Sequence, residues 1–131
     1  MESEYKRTSR IENFFSMMLA KANIAKGVFF GNLPAKINRS WDTMILVDVN
    51  SMKDYDSHEV GSVNVFLYAK AEGEISAKPI KKLYQMESSL DNAIESSSDE
   101  HYAIRANWRD GGYDQARNFY YNIVNVSVIV K

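Results

Sequence analysis

The sequence has no cysteine, which excludes a disulfide framework, thiolate zinc sites and thiol catalysis together. Stability must therefore come from packing or from assembly, and a reducing compartment fits. Histidine is scarce: His58 and His101 stand far apart and neither has a second histidine at ligand spacing. The six glycines form neither a phosphate-loop nor a dinucleotide-binding pattern, and no nucleophile elbow surrounds any serine. Long hydrophobic runs are also missing, and none approaches the roughly 18 apolar residues of a membrane span. The start, MESEYKRTSRIENFF, is polar and unlike a secretory signal, so synthesis in the cytosol is expected, with no membrane partner. Charge of one sign is not in excess. The 16 basic and 17 acidic residues are interspersed, and the densest basic cluster is only Lys78, Lys81 and Lys82. A phosphate-tracking surface shows a strong basic bias, so nucleic acid is not expected as a main partner.

What is present is ordinary globular material. Hydrophobic residues make up 45% and charged residues 25% of 131 positions, which suits one domain over 1–131 that buries roughly two-thirds of its unfolded surface. Residues 1–8 are expected to be a flexible lead. Ser9 and Glu12 have capping-box spacing, and Ile11, Phe14, Phe15, Met18 and Leu19 then recur on one helical face, predicting a first helix over 10–23. Val28, Phe29 and Phe30 read as a short buried strand. The next strand runs over 41–49, with Met44, Leu46 and Asp48 on one side and Ile45, Val47 and Val49 on the other. Apolar residues on both sides suggest a strand covered twice. A polar, acidic loop, NSMKDYDSHE, leads to a third strand over 60–70. After AEGEISAKP, Leu83, Met86, Leu90, Ala93 and Ile94 predict a second amphipathic helix to about residue 95.

The order α-β-β-β-α-β-β, with short links between strands, implies an α+β fold. A mainly antiparallel five-stranded sheet would carry both helices on one face, as a two-layer sandwich.

The closing segment over 101–130 reads as a long β-hairpin. If Gly111 and Gly112 form its turn, a strand of about eight residues meets one of about fourteen. At ~3.3 Å per residue the second would extend roughly 46 Å, beyond the roughly 36 Å diameter of a compact chain of this length. It would project, and residues 125–130 would need another partner, either the third strand or another subunit. Val124, Val126, Val128 and Val130 form one apolar face. Asn125 and Ser127 share the other with Ile123 and Ile129.

Asp48, Asn50, Asp54, Asp56, His58 and Glu59 form the one cluster that suggests a metal or an acid–base pair. It lacks the EF-hand glycine and ligand ladder, and a solvated loop accounts for it. No catalytic, metal or cofactor site is assigned, and the chain is not expected to be an enzyme. A metal-dependent hydrolase using His58 stands as the alternative.

The helix, the strand GSVNVFLYAKA, the helix LYQMESSLDNAIES and the closing hairpin together resemble tail-completion or tail-terminator proteins of long-tailed bacteriophages and prophages. The resemblance covers nearly the whole chain in architecture. It implies a structural virion protein, forming a homo-oligomeric ring, commonly a hexamer, that ends the tail tube and takes part in head–tail joining. Its partners would be itself, the tube protein and neck or connector proteins. Its location would be the virion tail or neck, after assembly in the host cytoplasm. Other neck or connector adaptors, and a monomeric module that binds by strand addition, remain as alternatives. The expected contact residues lie on the hairpin: Trp108, Arg109, Tyr113, Arg117, Phe119 and Tyr121, where aromatic and arginine side chains of the kind enriched at interface anchors collect. Cross-strand packing is the competing reading of the same rings.

Overall fold

The computed structural model describes residues 4–55, 58–99 and 101–131. Helix α1 spans Glu4–Ala22. Ile11, Phe15, Met18 and Leu19, three and four residues apart, are all buried along one side of it. The helix begins five residues ahead of Ser9, so Ser9 is an interior position and the expected capping box does not mark its start. Residues 4–8, expected as part of a flexible lead, are helical, because EYKRT contains no residue that stops a helix. Helix α2, Ile80–Ser97, follows Pro79 and buries Leu83, Met86, Leu90, Ala93 and Ile94. Both helices pack on one face of the sheet, against valines and leucines of its central strands.

The sheet has five strands: β1 Gly27–Phe30, β2 Thr43–Asp54, β3 Glu59–Lys70, β4 Tyr102–Asp114 and β5 Phe119–Val130. Their spatial order is β1-β2-β3-β5-β4. All neighbours are antiparallel except β1 and β2, which run parallel. The sheet is therefore mixed. Segment 31–42 makes this possible by crossing the second face, where Leu33, Ile37 and Trp41 pack on Met44, Tyr68 and Phe119. Beside that crossing a Cβ on Gly27 would lie 2.8 Å from the Trp41 ring, so only glycine lets the indole close over the start of β1.

The closing hairpin differs from its expected form. β4 runs through Gly111 and Gly112 to Asp114 and pairs along the whole of β5, with one irregularity: Asn107 and Trp108 together oppose Asn125. The reversal falls at 115–118. Asp114 accepts from the Arg117 N–H at 3.2 Å and from the Arg117 guanidinium at 2.9 Å, and Asn118 takes the left-handed conformation (φ 59°). The two glycines serve close cross-strand approach instead of a turn, since Tyr121 lies over Gly112 and Asn122 over Gly111.

Because β5 pairs with β3 over Lys70–Glu59 on one side and with β4 on the other, residues 125–130 are satisfied within the chain. The hairpin does not project beyond the sheet. The tip is itself tied down, with the Ala71 N–H donating to the Asn118 carbonyl at 3.0 Å. Val124, Val126 and Val128 are fully buried under the helices, as their alternation implies.

Candidate interaction surface

The two rims of the sheet are unequal. β1 presents four residues and β4 thirteen. A rim strand carries unpaired backbone groups and is a template for pairing. The first part of the β4 rim is closed by the segment leaving α2: the Tyr102 N–H donates to Asp99 Oδ1 at 2.8 Å and the Ile104 N–H to Ser98 Oγ at 3.2 Å. Accepting the Tyr102 and His101 N–H groups holds the Asp99 carboxyl below the usual carboxylate range. Further along, the Gly111 N–H is taken by Asp110 Oδ1 at 2.8 Å. No further strand pairs with the outer side of β4 among the described residues.

The six hairpin residues expected to make contacts divide into two groups. Trp108, in the bulge, and Tyr113 are large hydrophobic side chains left 49% and 41% exposed, and they remain available at the rim. The other four are engaged within the chain. Arg109 extends over α2, where its guanidinium contacts Glu87 and lies 2.7 Å from Asp91 Oδ1. These two carboxylates, Asp91 first, raise its pKa further. Asn122 donates to the other Glu87 oxygen at 3.2 Å. Arg117 is folded back onto Asp114 in the turn. Phe119 is only 2% exposed, buried with Met44 and Tyr68. Tyr121 packs against Tyr68 and Phe66 with ring centroids 5.2 and 5.9 Å apart. Tyr113, although exposed, stacks on Tyr120 at 4.5 Å and donates its hydroxyl to Asn118 at 2.6 Å. Cross-strand packing therefore accounts for most of these rings.

The face of the sheet away from the helices carries three zones. At one end lies the aromatic cluster under segment 31–42, where burial raises the Tyr68 hydroxyl to a pKa of about 12. Across the middle runs a polar row, Asp48, Asn64, Asn125 and Asn107, one residue from each of β2, β3, β5 and β4. Asn125 is 6% exposed yet well partnered: its amide donates to Asn64 Oδ1 at 2.8 Å and to Ser62 Oγ at 3.2 Å, and its Oδ1 accepts from Asn107 at 3.0 Å. Beyond the row Val60, Ala103 and Ile129 line a shallow apolar pocket with Arg105 and Ser127.

The acidic segment is largely strand. Asn50 and Asp54 belong to β2 and Glu59 to β3, and between them Tyr55 and His58 exchange backbone hydrogen bonds and stack at 5.0 Å. Asp56 lies outside the described residues. Among those described, no group of three His, Asp or Glu side chains is placed to hold a metal ion, and no helix is long and apolar enough to cross a membrane.

The rim position of β4 and the polar row were not readable from the sequence. Asn125 and Ser127 announced a polar face, but their partners are set by strand pairings that local patterns do not encode. The Arg109 clamp joins residues separated by 18 and 22 positions and has no local signature. No protein-family model matches the chain, and no curated protein does either.

Proposed function

We propose that this chain is a structural assembly protein without catalytic chemistry, a ring-forming tail-terminator or tail-completion component of a long-tailed phage or prophage. In that role it caps the tail tube and joins the tail to the neck of the head. The observation that carries the reading is the outer rim of β4: a thirteen-residue edge strand displaying Trp108 and Tyr113. An edge of this length in a small domain calls for a cover. A heterologous contact that repeats by rotation covers it in every subunit and closes a ring. The α-β-β-β-α-β-β order on which the family resemblance rests supports the same reading.

The contact surface in this proposal is narrower than the six residues expected from sequence. Trp108 and Tyr113 are its anchors. Arg109 and Arg117 hold the fold, and Phe119 and Tyr121 stiffen the hairpin from the opposite face.

The test is the mass in solution, by light scattering over a range of chain concentration and salt, for the wild type and Trp108→Glu. A discrete closed oligomer that Trp108→Glu disperses is the expected result. A ring indifferent to Trp108, or association only with a different protein added, overturns it. The second of these outcomes favours a module that binds by strand addition, which the same open rim would also serve.

A further inference from the structure

On the face away from the helices, the residues of β3 and β5 that stand opposite each other are alike. Asn64 faces Asn125, Ser62 faces Ser127, and Val60 faces Ile129. Each central pair thus repeats one chemical class on both sides of the line between β3 and β5. The flanking strands break the likeness in a particular way. β2 contributes Asp48, level with Asn64. β4 contributes Asn107 in the same row and Arg105 level with Ser127. Neither Asp48 nor Arg105 has an ion-pair partner among the described residues.

We propose that this face is covered by a second copy of the same chain, turned about a two-fold axis that runs parallel to the strands between β3 and β5. An isologous contact requires a surface that complements itself, and this axis has a definite consequence. Over the rows that segment 31–42 leaves open, it sets Asn64, Ser62 and Val60 of β3 against their own β5 partners from the other copy: amide over amide, hydroxyl over hydroxyl, Val60 over Ile129. It also brings β2 of one copy over β4 of the other. Asp48 then faces Asn107, with Arg105 one row away and within side-chain reach, and symmetry repeats the attraction. The amide nitrogen of Asn64 has no acceptor in its own chain among the described residues, whereas Asn125 Oδ1 accepts one bond and has a second lone pair. The axis brings that donor to that acceptor twice.

The sheet also sets the strength. Four strands at ~4.8 Å spacing and about seven residues of length make a footprint of roughly 450 Å² per copy. That is less than the ~800 Å² per partner of a standard interface, so the dimer is weak and needs a concentrated solution to form. This contact is separate from the β4 rim, and the two are tested apart.

The experiment is sedimentation equilibrium of the full chain from about 10 µM to about 1 mM, with Trp108→Glu in every sample to remove the rim contact, for this parent and for Asp48→Arg, Arg105→Asp and the double swap added to it, with circular dichroism to confirm folding. Both side chains are at least partly exposed, so the substitutions do not touch the core. This parent is expected to approach twice its 15.0 kDa mass and to dissociate as salt rises from about 0.05 to about 0.5 M. Each single reversal should weaken association at least about tenfold, and the double swap should restore it. Ile129→Lys, at the apolar end of the face, should abolish it without rescue. A strict monomer at the highest concentration, or association unchanged by both reversals, overturns the proposal. A larger oligomer indifferent to all four variants overturns it as well.

Discussion

Arg109 and Asp91 face each other across the layers of the sandwich, Nη2 of the strand residue 2.7 Å from Oδ1 of the helix residue. Glu87, one turn earlier on α2, takes the other arm of the guanidinium. The pair joins β4 to α2 immediately after the bulge at Asn107 and Trp108, where the strand is most free to twist away. Arg109→Ala should therefore destabilise the domain, by about 0.5–1.5 kcal/mol given that the partners are partly solvent-exposed. Urea unfolding checks this. Arg109→Lys should recover only part of the loss, because an ammonium group cannot span both carboxylates as a planar fork does.

Asp42 sits between Lys82 of α2 and Lys26, at 2.9 and 3.1 Å. Lys82 first and then Lys26 pull its pKa from 3.8 to about 2. A carboxyl whose folded pKa is depressed adds stability above its unfolded pKa and loses it as pH falls through the folded value. The contribution should be complete above about pH 4–5 and disappear toward pH 2. With the side chains about 40–57% exposed, screening holds it to about 1 kcal/mol or less. Comparing urea midpoints of wild type and Asp42→Asn between these pH values measures it. Equal slopes with pH for the two proteins would contradict the assignment.

The two sides of α2 should respond in opposite ways. Leu90 is fully buried and Ile80 is 70% exposed. Leu90→Ala should cost about 2–5 kcal/mol through lost burial and the cavity left behind. Ile80→Ala should stay within about 0.5 kcal/mol. Comparable losses at both positions would show that the outer side of the helix is also covered.

Asn125 is a buried amide whose donors and acceptor are matched by Asn64, Ser62 and Asn107. Asn125→Ala should destabilise by about 0.5–1.5 kcal/mol, because the buried amide's hydrogen bonds are lost while Asn64, Ser62 and Asn107, all at least partly exposed, can turn to water. Thermal unfolding reads the cost.

Gly27→Ala places a methyl group against the Trp41 ring. The indole must move off β1 into solvent, so tryptophan emission should shift to the red, with a loss of about 1–3 kcal/mol from the overcrowded site. Emission unchanged from wild type would mean the backbone, not the ring, gives way.

The sequence by itself determined the elements whose information is local. Spacings of three and four residues placed Ile11, Phe15, Leu83 and Leu90 on the inner sides of two helices. Alternation assigned Val124, Val126 and Val128 to the core face and Asn125 and Ser127 to the other. The α+β class follows from that order of elements. Tertiary structure decided what depends on pairing between distant segments. Gly111 and Gly112 look like a turn in isolation, yet they lie within β4 because Tyr121 and Asn122 of β5 need the room that a Cβ would fill. The reversal moved to Asp114–Asn118, a site with its own signal in an aspartate at the start and an asparagine able to adopt positive φ. That shift made the two strands nearly equal, removed the overhang and turned the expected projecting arm into the rim of a sheet. Contacts over 18 to 61 positions, from the Arg109 clamp to the asparagine row, exist only once strands are in register, and register is set by the whole core rather than by any segment within it.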